Sequence, residues 1–220
     1  MLNAWVSIGE PRLVLASMRR QYPALAGVLG RTEDEAARRR LLGRIADRLA
    51  ATPGLSDPER LCAIVDWESL FLGRGDPGMA QLDALSRDLV LLFTERGPDA
   101  ISRSGSELYR AGRFGDEGFE EALRDGSDQV RHFCWSFRVF TIHMSRADAE
   151  ELLRLKEVRD STRRKEPVNQ ADLLLNRAAR ELVEEILGKR EGGQDGRRGD
   201  PHPVSAYSAL IRKKLAGAGR

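Results

Sequence analysis

The sequence predicts an all-α protein, a single globular domain of about seven or eight helices with a flexible basic C-terminal tail. Apolar residues recur at intervals of three and four along most of the chain, which is the spacing of one helix face. Gly, Pro and N-capping residues divide the chain into segments of helical length. No segment has the clean apolar and polar alternation of a strand, so the sequence favours helices throughout.

Four helical segments are predicted in the first hundred residues. They cover residues 11–30 with a break near Pro23, 32–52, 56–73 and 78–96. Thr32 with Glu35, and Ser56 with Glu59, have the spacing of a capping box, in which a hydroxyl and a carboxylate satisfy free amide groups of the first turn. Both boxes therefore predict a helix start.

Residues 99–125 interrupt this pattern with several glycines and one short helix. A segment of this kind either brings polar groups to a site or connects two helices, and the sequence leaves both alternatives open. Three helices are predicted after it: residues 125–143, a charged helix that begins at Ser145, and a helix from Gln170 to Leu187 that Asn169 caps. The basic residues at 159–165 are predicted to be a solvated helix end.

The chain divides into a helical domain, residues 1–188, and a tail, residues 189–220. From Gly188 to the end there are eight basic and three acidic residues. The linker at 191–203 is too rich in Gly, Pro and charge to pack. Residues 204–215 are predicted to form a short basic helix that docks on the domain or on a partner.

Composition excludes several functional classes. The net charge is +2 although 32% of residues are charged, so neither nucleic acid nor a membrane is an expected partner. No apolar run is long enough for a bilayer, and the N-terminus has no secretory leader. Cys62 and Cys134 lie in apolar helical patterns and are expected to be reduced thiols of a cytoplasmic protein. No Walker, dinucleotide or zincin motif occurs, so no cofactor is predicted.

Residues 125–143 are the most informative segment for function. They contain two of the three histidines and four of the ten Phe and Trp residues. On a helical wheel the apolar residues form one stripe. A polar seam runs opposite to it, and its members are Asp125, Asp128, His132, Ser136 and His143. Such a seam predicts either a functional site or a buried structural network.

The candidate catalytic residues are His132 and Asp128. An imidazole titrates near neutral pH and could act as a general base, with Asp128 one turn earlier to orient it. The same spacing also stabilises a helix without any chemistry, so a structural histidine is the alternative. No metal site is predicted, because His132 and His143 lie about 16 Å apart along the axis. His202 lies in the linker and is expected to be exposed.

The candidate binding residues surround His132. Arg131 and Arg138 could hold an anion through their guanidinium forks or could form internal ion pairs. The remaining candidates are Asp125 and Trp135 on the same helix and Glu157, Asp172 and Asn176 on neighbouring helices. Asp172 and Asn176 could also belong to an ordinary ladder within one helix.

Two functional hypotheses follow from these patterns. The first is a cytosolic interaction or regulatory protein that binds a protein partner through helix faces and the basic tail, which would explain the absence of catalytic motifs. The second is a small helical hydrolase or toxin-like effector in which His132 is the general base, Asp128 orients it and an arginine holds an anionic group. The sequence leaves both open.

Overall fold

Eight α-helices make up most of the described chain, and no strand occurs in it, which confirms the predicted all-α fold class. The computed structural model describes residues 11–29, 34–70, 79–94, 114–126, 128–142, 145–191 and 205–217. The α-helices are α1 (Pro11–Gln21), α2 (Glu35–Ala50), α3 (Asp57–Glu68), α4 (Met79–Phe93), α5 (Gln129–Thr141), α6 (Arg146–Arg164), α7 (Gln170–Glu191) and α8 (Ser205–Leu215). Short 3-10 helices lie at Pro23–Leu25 and Glu121–Leu123.

Most of the predicted helix starts are confirmed. At α3, Ser56 N donates to Glu59 Oε2 at 2.9 Å, and Glu59 N donates to Ser56 Oγ, which completes the capping box. Ser145 caps α6. The start of α2 differs from the prediction, since it is capped by Asp34, whose Oδ1 accepts from the backbone N–H of Ala37 at 2.6 Å. A carboxylate suits this position because it also faces the positive end of the helix dipole. Thr32 lies outside the described residues.

Helix α5 lies at the centre of the domain and packs against α4 and α7. Its predicted apolar stripe is buried: Val130, Phe133, Cys134 and Phe137 are all inaccessible to solvent. The rings of Phe133 and Phe137 stack with their centroids 6.0 Å apart. Because α5 is covered on several sides, two members of its polar seam are also enclosed: Ser136 is buried, and only 9% of the His132 side chain is exposed.

The C-terminal helix belongs to the domain core. Tyr207, Ile211 and Leu215 on α8 are buried, and α8 packs mainly against α3. The Cys62 thiol donates to the backbone oxygen of Ser208 at 3.1 Å. The helix expected in a flexible tail therefore docks on the domain, which was one of its two predicted positions. Helix α7 continues past Gly188 to Glu191, and residues 192–204 lie outside the described residues.

The described part of the glycine-rich segment, residues 114–126, is anchored on α3. Asp57 Oδ2 accepts from Gly115 N at 3.0 Å and from Glu117 N at 2.9 Å. Gly118 has φ +83°, and a Cβ there would lie 2.3 Å from the Cβ of Ser56, so only glycine fits. This part of the segment is therefore fixed to the start of α3, and residues 99–113 lie outside the described residues.

Both cysteines are buried free thiols. Burial raises the pKa of Cys62 to about 12, so this thiol stays protonated at physiological pH. None of the helices in the described part of the chain combines the length and apolar character that a bilayer crossing requires.

Candidate functional site

Side chains from α5, α6 and α7 meet around the imidazole of His132. Nδ1 lies 3.2 Å from Asp172 Oδ1, and Nε2 lies 3.0 Å from Asn176 Oδ1 and 3.6 Å from Glu157 Oε1. These residues and Ser136 are called the His132 cluster below. The three predicted residues from neighbouring helices, Glu157, Asp172 and Asn176, are thus brought to His132.

The cluster forms because two helices present residue pairs one turn apart. His132 and Ser136 share a face of α5, and Asp172 and Asn176 share a face of α7. Ser136 Oγ donates to Asn176 Oδ1 at 2.6 Å and also lies 3.0 Å from the backbone oxygen of His132. Glu157, with an exposure of 4%, closes the cluster from α6. Packing of α5 against α7 therefore determines the geometry.

The cluster has more hydrogen-bond acceptors than N–H and O–H groups that can donate to them. Asn176 Oδ1 faces both the Ser136 hydroxyl and the imidazole, and ionised carboxylates only accept. Both ring nitrogens of His132 face oxygen atoms, yet a neutral imidazole carries a single N–H. An additional proton or a cation would satisfy the remaining lone pairs.

Burial controls the protonation of the cluster. Burial and, second to it, the Lys156 ammonium together lower the pKa of His132 to about 4, although the charge of Glu157 acts in the opposite direction. Burial also raises the pKa of Asp172 to about 7, and the charge of Glu157 adds to this rise. At neutral pH the imidazole is therefore uncharged, and Asp172 keeps its proton to a higher pH than an exposed aspartic acid does.

A cleft of about 420 Å³ adjoins the cluster. It lies between the end of α6, the following turn and the first turn of α7. Its charged lining residues are Glu157, Asp160, Arg164, Glu166 and Asp172. Because Glu157 and Asp172 also belong to the His132 cluster, the imidazole site connects to a space in which a small molecule fits.

The cluster contains a set of metal-type ligands. One atom from each of His132, Glu157 and Asp172 lies within 4.8 Å of the other two. An imidazole nitrogen with two carboxylate oxygens suits first-row divalent ions such as Zn²⁺ or Mn²⁺. The prediction of no metal site considered only the two histidines of one helix. The structure brings the three potential ligands together from three helices, which spacing along one helix could not indicate.

Asp128 does not orient His132 as predicted. Its carboxylate pairs with the guanidinium of Arg131 at the start of α5. Only the backbone oxygen of Asp128 contacts His132, by accepting from its backbone N–H at 3.1 Å. The position expected for Asp128 is taken by Asp172, since the imidazole points towards α7 and Asp128 lies at the helix end.

Arg138 adopts the ion-pair alternative. Its Nη1 donates to Asp83 Oδ1 at 2.6 Å and to Ser86 Oγ at 3.1 Å, and only 2% of the residue is exposed. Arg138 therefore connects α5 to α4 and is unavailable to a ligand. Arg131 is about half exposed and pairs with Asp128.

The remaining predicted residues lie near the cluster. Trp135 has the ammonium of Lys156 5.5 Å from its ring centroid, a cation–π contact. Asp125 Oδ2 accepts from Asn169 Nδ2 at 2.7 Å. His143 and His202 lie outside the described residues.

Lys156 was not predicted as part of the site. Its Nζ lies 2.8 Å from Glu157 Oε1 and 3.4 Å from Asp160 Oδ2. In the sequence, Lys156 is a basic residue directly before an acidic one. This pattern does not identify a site residue, because the charged helix α6 contains many neighbouring acidic and basic residues. Only the fold distinguishes this lysine from the others.

A second buried carboxylate pair was also missed. Arg38 on α2 contacts Glu68 Oε2 at 2.9 Å and Asp88 Oδ2 at 2.6 Å. These three residues are called the Arg38 cluster. Burial raises the pKa of Glu68 to about 8, and the neighbouring Asp88 carboxylate contributes to the rise.

Comparison of the chain with models of known protein families, with curated proteins and with solved structures found no match in any of the three. The function must therefore be inferred from the geometry and chemistry of the site itself.

Proposed function

We propose that this protein is a metal-dependent hydrolase that binds one divalent ion through His132, Glu157 and Asp172. The observation that carries the proposal is the convergence of one imidazole and two carboxylates from three helices at the wall of a cleft. Sites of this kind in hydrolases keep a coordination position open for water or substrate. Here the open side would face the cleft.

Each residue of the cluster has a role in this proposal. His132 is uncharged at neutral pH because burial lowers its pKa to about 4, so a ring lone pair is available to an ion. Asp172 releases its proton when it becomes a ligand. Asn176 contacts the ring at Nε2, and Ser136 contacts Asn176 in turn, so these two residues would hold the ring in place. A metal ion bound there would polarise a substrate and lower the pKa of water. The hydrolase hypothesis is thus retained, with His132 as a ligand instead of a general base.

Calorimetric titration of Mn²⁺ and Zn²⁺ tests the metal centre. We expect one ion per chain for the parent and an affinity at least about tenfold lower for Asp172→Asn, because a charged ligand is lost. Asp128→Asn is the matched control, since this carboxylate pairs with Arg131 and should leave the affinity unchanged. Equal affinities for the parent and Asp172→Asn would refute the assignment.

Hydrolysis is tested separately with a panel of aryl carboxylate and aryl phosphate esters. Activity of the parent should require added metal and should be lost in His132→Ala, while Asp128→Asn retains it. If the protein binds metal but hydrolyses none of these esters, the metal centre is retained and the hydrolase proposal is refuted.

The interaction hypothesis remains a second proposal, supported by the surface of α6. Leu155 and Val158 lie one turn apart and are 51% and 42% exposed. Truncation after Gly188 would not test it, because it would remove the buried helix α8. Replacing both residues by serine should abolish recovery of a partner in a pull-down while the melting temperature is maintained. Unchanged recovery would exclude this surface.

A further inference from the structure

Arg164 is the only basic residue among the described residues that line the cleft between α6 and α7. Four acidic residues line the same space. The neighbouring cations Lys156 and Arg159 contact acidic groups, with Lys156 at 2.8 Å from Glu157 and Arg159 at 3.4 Å from Asp160. Within the described chain, Arg164 forms no ion pair. Its guanidinium is therefore available to a ligand.

The turn after α6 determines where Arg164 lies. Lys165 ends the helix in the left-handed conformation, with φ 57°. Ser161 Oγ donates to the backbone oxygen of Glu166 at 2.5 Å, and Glu166 N donates to the backbone oxygen of Ser161 at 3.2 Å. The sequence predicted a solvated helix end here. Arg163, Arg164 and Lys165 are exposed, as predicted, and Arg164, the last residue of α6, also lines the cleft.

The charges of the cleft make anion binding dependent on the metal. Without an ion, the carboxyl groups outnumber the single guanidinium and repel an anion. A divalent ion at Glu157 and Asp172 would balance two negative charges, and Lys156 already lies 3.4 Å from Asp160. Of the four acids that line the cleft, only Glu166 would then have no described cationic partner. The ion and Arg164 would then be the two cationic groups that face the cleft. This step rests on the proposed metal centre.

The geometry points to a phosphate subsite: we infer that the metal-loaded cleft binds the phosphate group of a small phosphate ester between the ion and Arg164. Guanidinium groups bind phosphate through two parallel hydrogen bonds. A phosphate monoester has three terminal oxygens, so it can contact the ion and the arginine together, whereas a carboxylate has only two. A cleft of about 420 Å³ accommodates a ligand of this size.

The test is titration of phenylphosphonate, a non-hydrolysable analogue of a phosphate ester, into Mn²⁺-loaded protein. Arg164→Gln should weaken binding by about tenfold or more, because the charged fork is lost. Arg163→Gln is the matched control: it removes a neighbouring exposed arginine that does not line the cleft, and it should retain the parental affinity. All three proteins should bind Mn²⁺ equally.

The outcomes separate the two proposals. Equal phenylphosphonate affinity for Arg164→Gln and Arg163→Gln overturns the subsite and leaves the metal centre intact. Binding of benzoate as tightly as phenylphosphonate overturns the preference for phosphate. Equal binding by metal-free and Mn²⁺-loaded protein overturns the participation of the ion. If the parent binds no Mn²⁺, the metal centre itself is wrong, whatever Arg164→Gln does.

Discussion

The His132 cluster and the Arg38 cluster both bury two carboxyl groups between three helices, but they differ in the cation beside them. In the Arg38 cluster one guanidinium reaches both acids, at 2.9 Å from Glu68 and 2.6 Å from Asp88. In the His132 cluster the ring is uncharged at neutral pH, and Lys156 contacts Glu157 but lies in no described ion pair with Asp172.

This difference separates a structural network from a candidate site. Burial of a charge costs several kcal/mol unless an opposite charge compensates it. In the Arg38 cluster the guanidinium contacts both acids and balances one negative charge, while burial beside Asp88 raises the pKa of Glu68 to about 8, so Glu68 holds a proton at neutral pH. The carboxyl groups of the His132 cluster are compensated only in part, and the remaining demand is met by a proton on Asp172 or, as proposed, by a metal ion. A resident cation thus distinguishes the two regions.

The largest expected effect is on stability, through Arg38→Met. Loss of one partner of a buried ion pair costs about 3–5 kcal/mol, because the charge of the other partner, here Asp88, stays buried. For a chain of this length the melting temperature should fall by roughly 6 to 20 °C. Arg39→Met is the control, because Arg39 is more exposed and lies 3.9 Å from Asp88. Similar melting temperatures for the two variants would show that Arg38 does not compensate the pair.

The second effect is the pH dependence of metal affinity. Burial raises the pKa of Asp172 to about 7, so below pH 7 a proton must leave before the metal binds. The Mn²⁺ affinity should therefore rise by about tenfold per pH unit up to pH 7 and then level off. His132 does not contribute above pH 5, because its pKa is about 4. In Asp172→Asn, Mn²⁺ binding should be weak and its affinity independent of pH. If the Mn²⁺ affinity of the parent does not change from pH 5 to 8, the assignment of Asp172 as a ligand is wrong.

The third effect concerns the Arg38 cluster and pH. Burial raises the pKa of Glu68 from 4.5 to about 8, so its contribution to stability is complete below pH 4.5 and is lost as the pH rises through 8. Glu68→Gln imitates the protonated acid. Urea denaturation should give nearly equal free energies of unfolding for the parent and Glu68→Gln at pH 5. Between pH 5 and 9 the free energy of unfolding of the parent should fall by at least about 1 kcal/mol more than that of the variant. Parallel pH profiles would show that Glu68 is ionised in the folded protein at neutral pH.

The smallest effect is expected from Lys156→Gln. The ammonium lies 2.8 Å from Glu157 Oε1, where it repels a metal ion bound to the same carboxylate. A partly exposed ion pair is worth up to about 1 kcal/mol, so removal should strengthen Mn²⁺ binding by about threefold to fivefold at pH 8.5. Arg159→Gln, which removes a cation that contacts Asp160, should change little. Weaker binding by Lys156→Gln would indicate that the lysine supports the ligand geometry.

Part of the site could be predicted from the sequence. The apolar stripe of α5 and the polar position of His132 follow from helical periodicity, which the structure retains. Asp172 and Asn176 were predicted because they lie one turn apart along the edge of an amphipathic helix, and Glu157 because it lies near the end of the charged helix before it. Asp128 was assigned to the ring because it lies one turn away along the helix. That assignment was wrong, since the side chain turns to Arg131 and the imidazole points to α7.

Other features depend on distances through space and could not be predicted. The Arg38 cluster is one example: Glu68 lies 30 positions and Asp88 lies 50 positions after Arg38 in the chain. Nothing in the local sequence patterns connects these three residues. The burial of α8 was left open because an amphipathic basic helix fits either a partner or its own domain. Its position was decided by the apolar surface of α3, which Ile211 and Leu215 cover.

The sequence by itself determined the all-α fold class, most of the helix starts and the residues on the buried faces, because periodicity and capping are local properties. The tertiary structure decided which carboxylate meets His132, which arginine is buried and which acids carry a proton. These properties depend on desolvation and on charges that lie within a few ångströms in space, and such distances are established only when the helices pack.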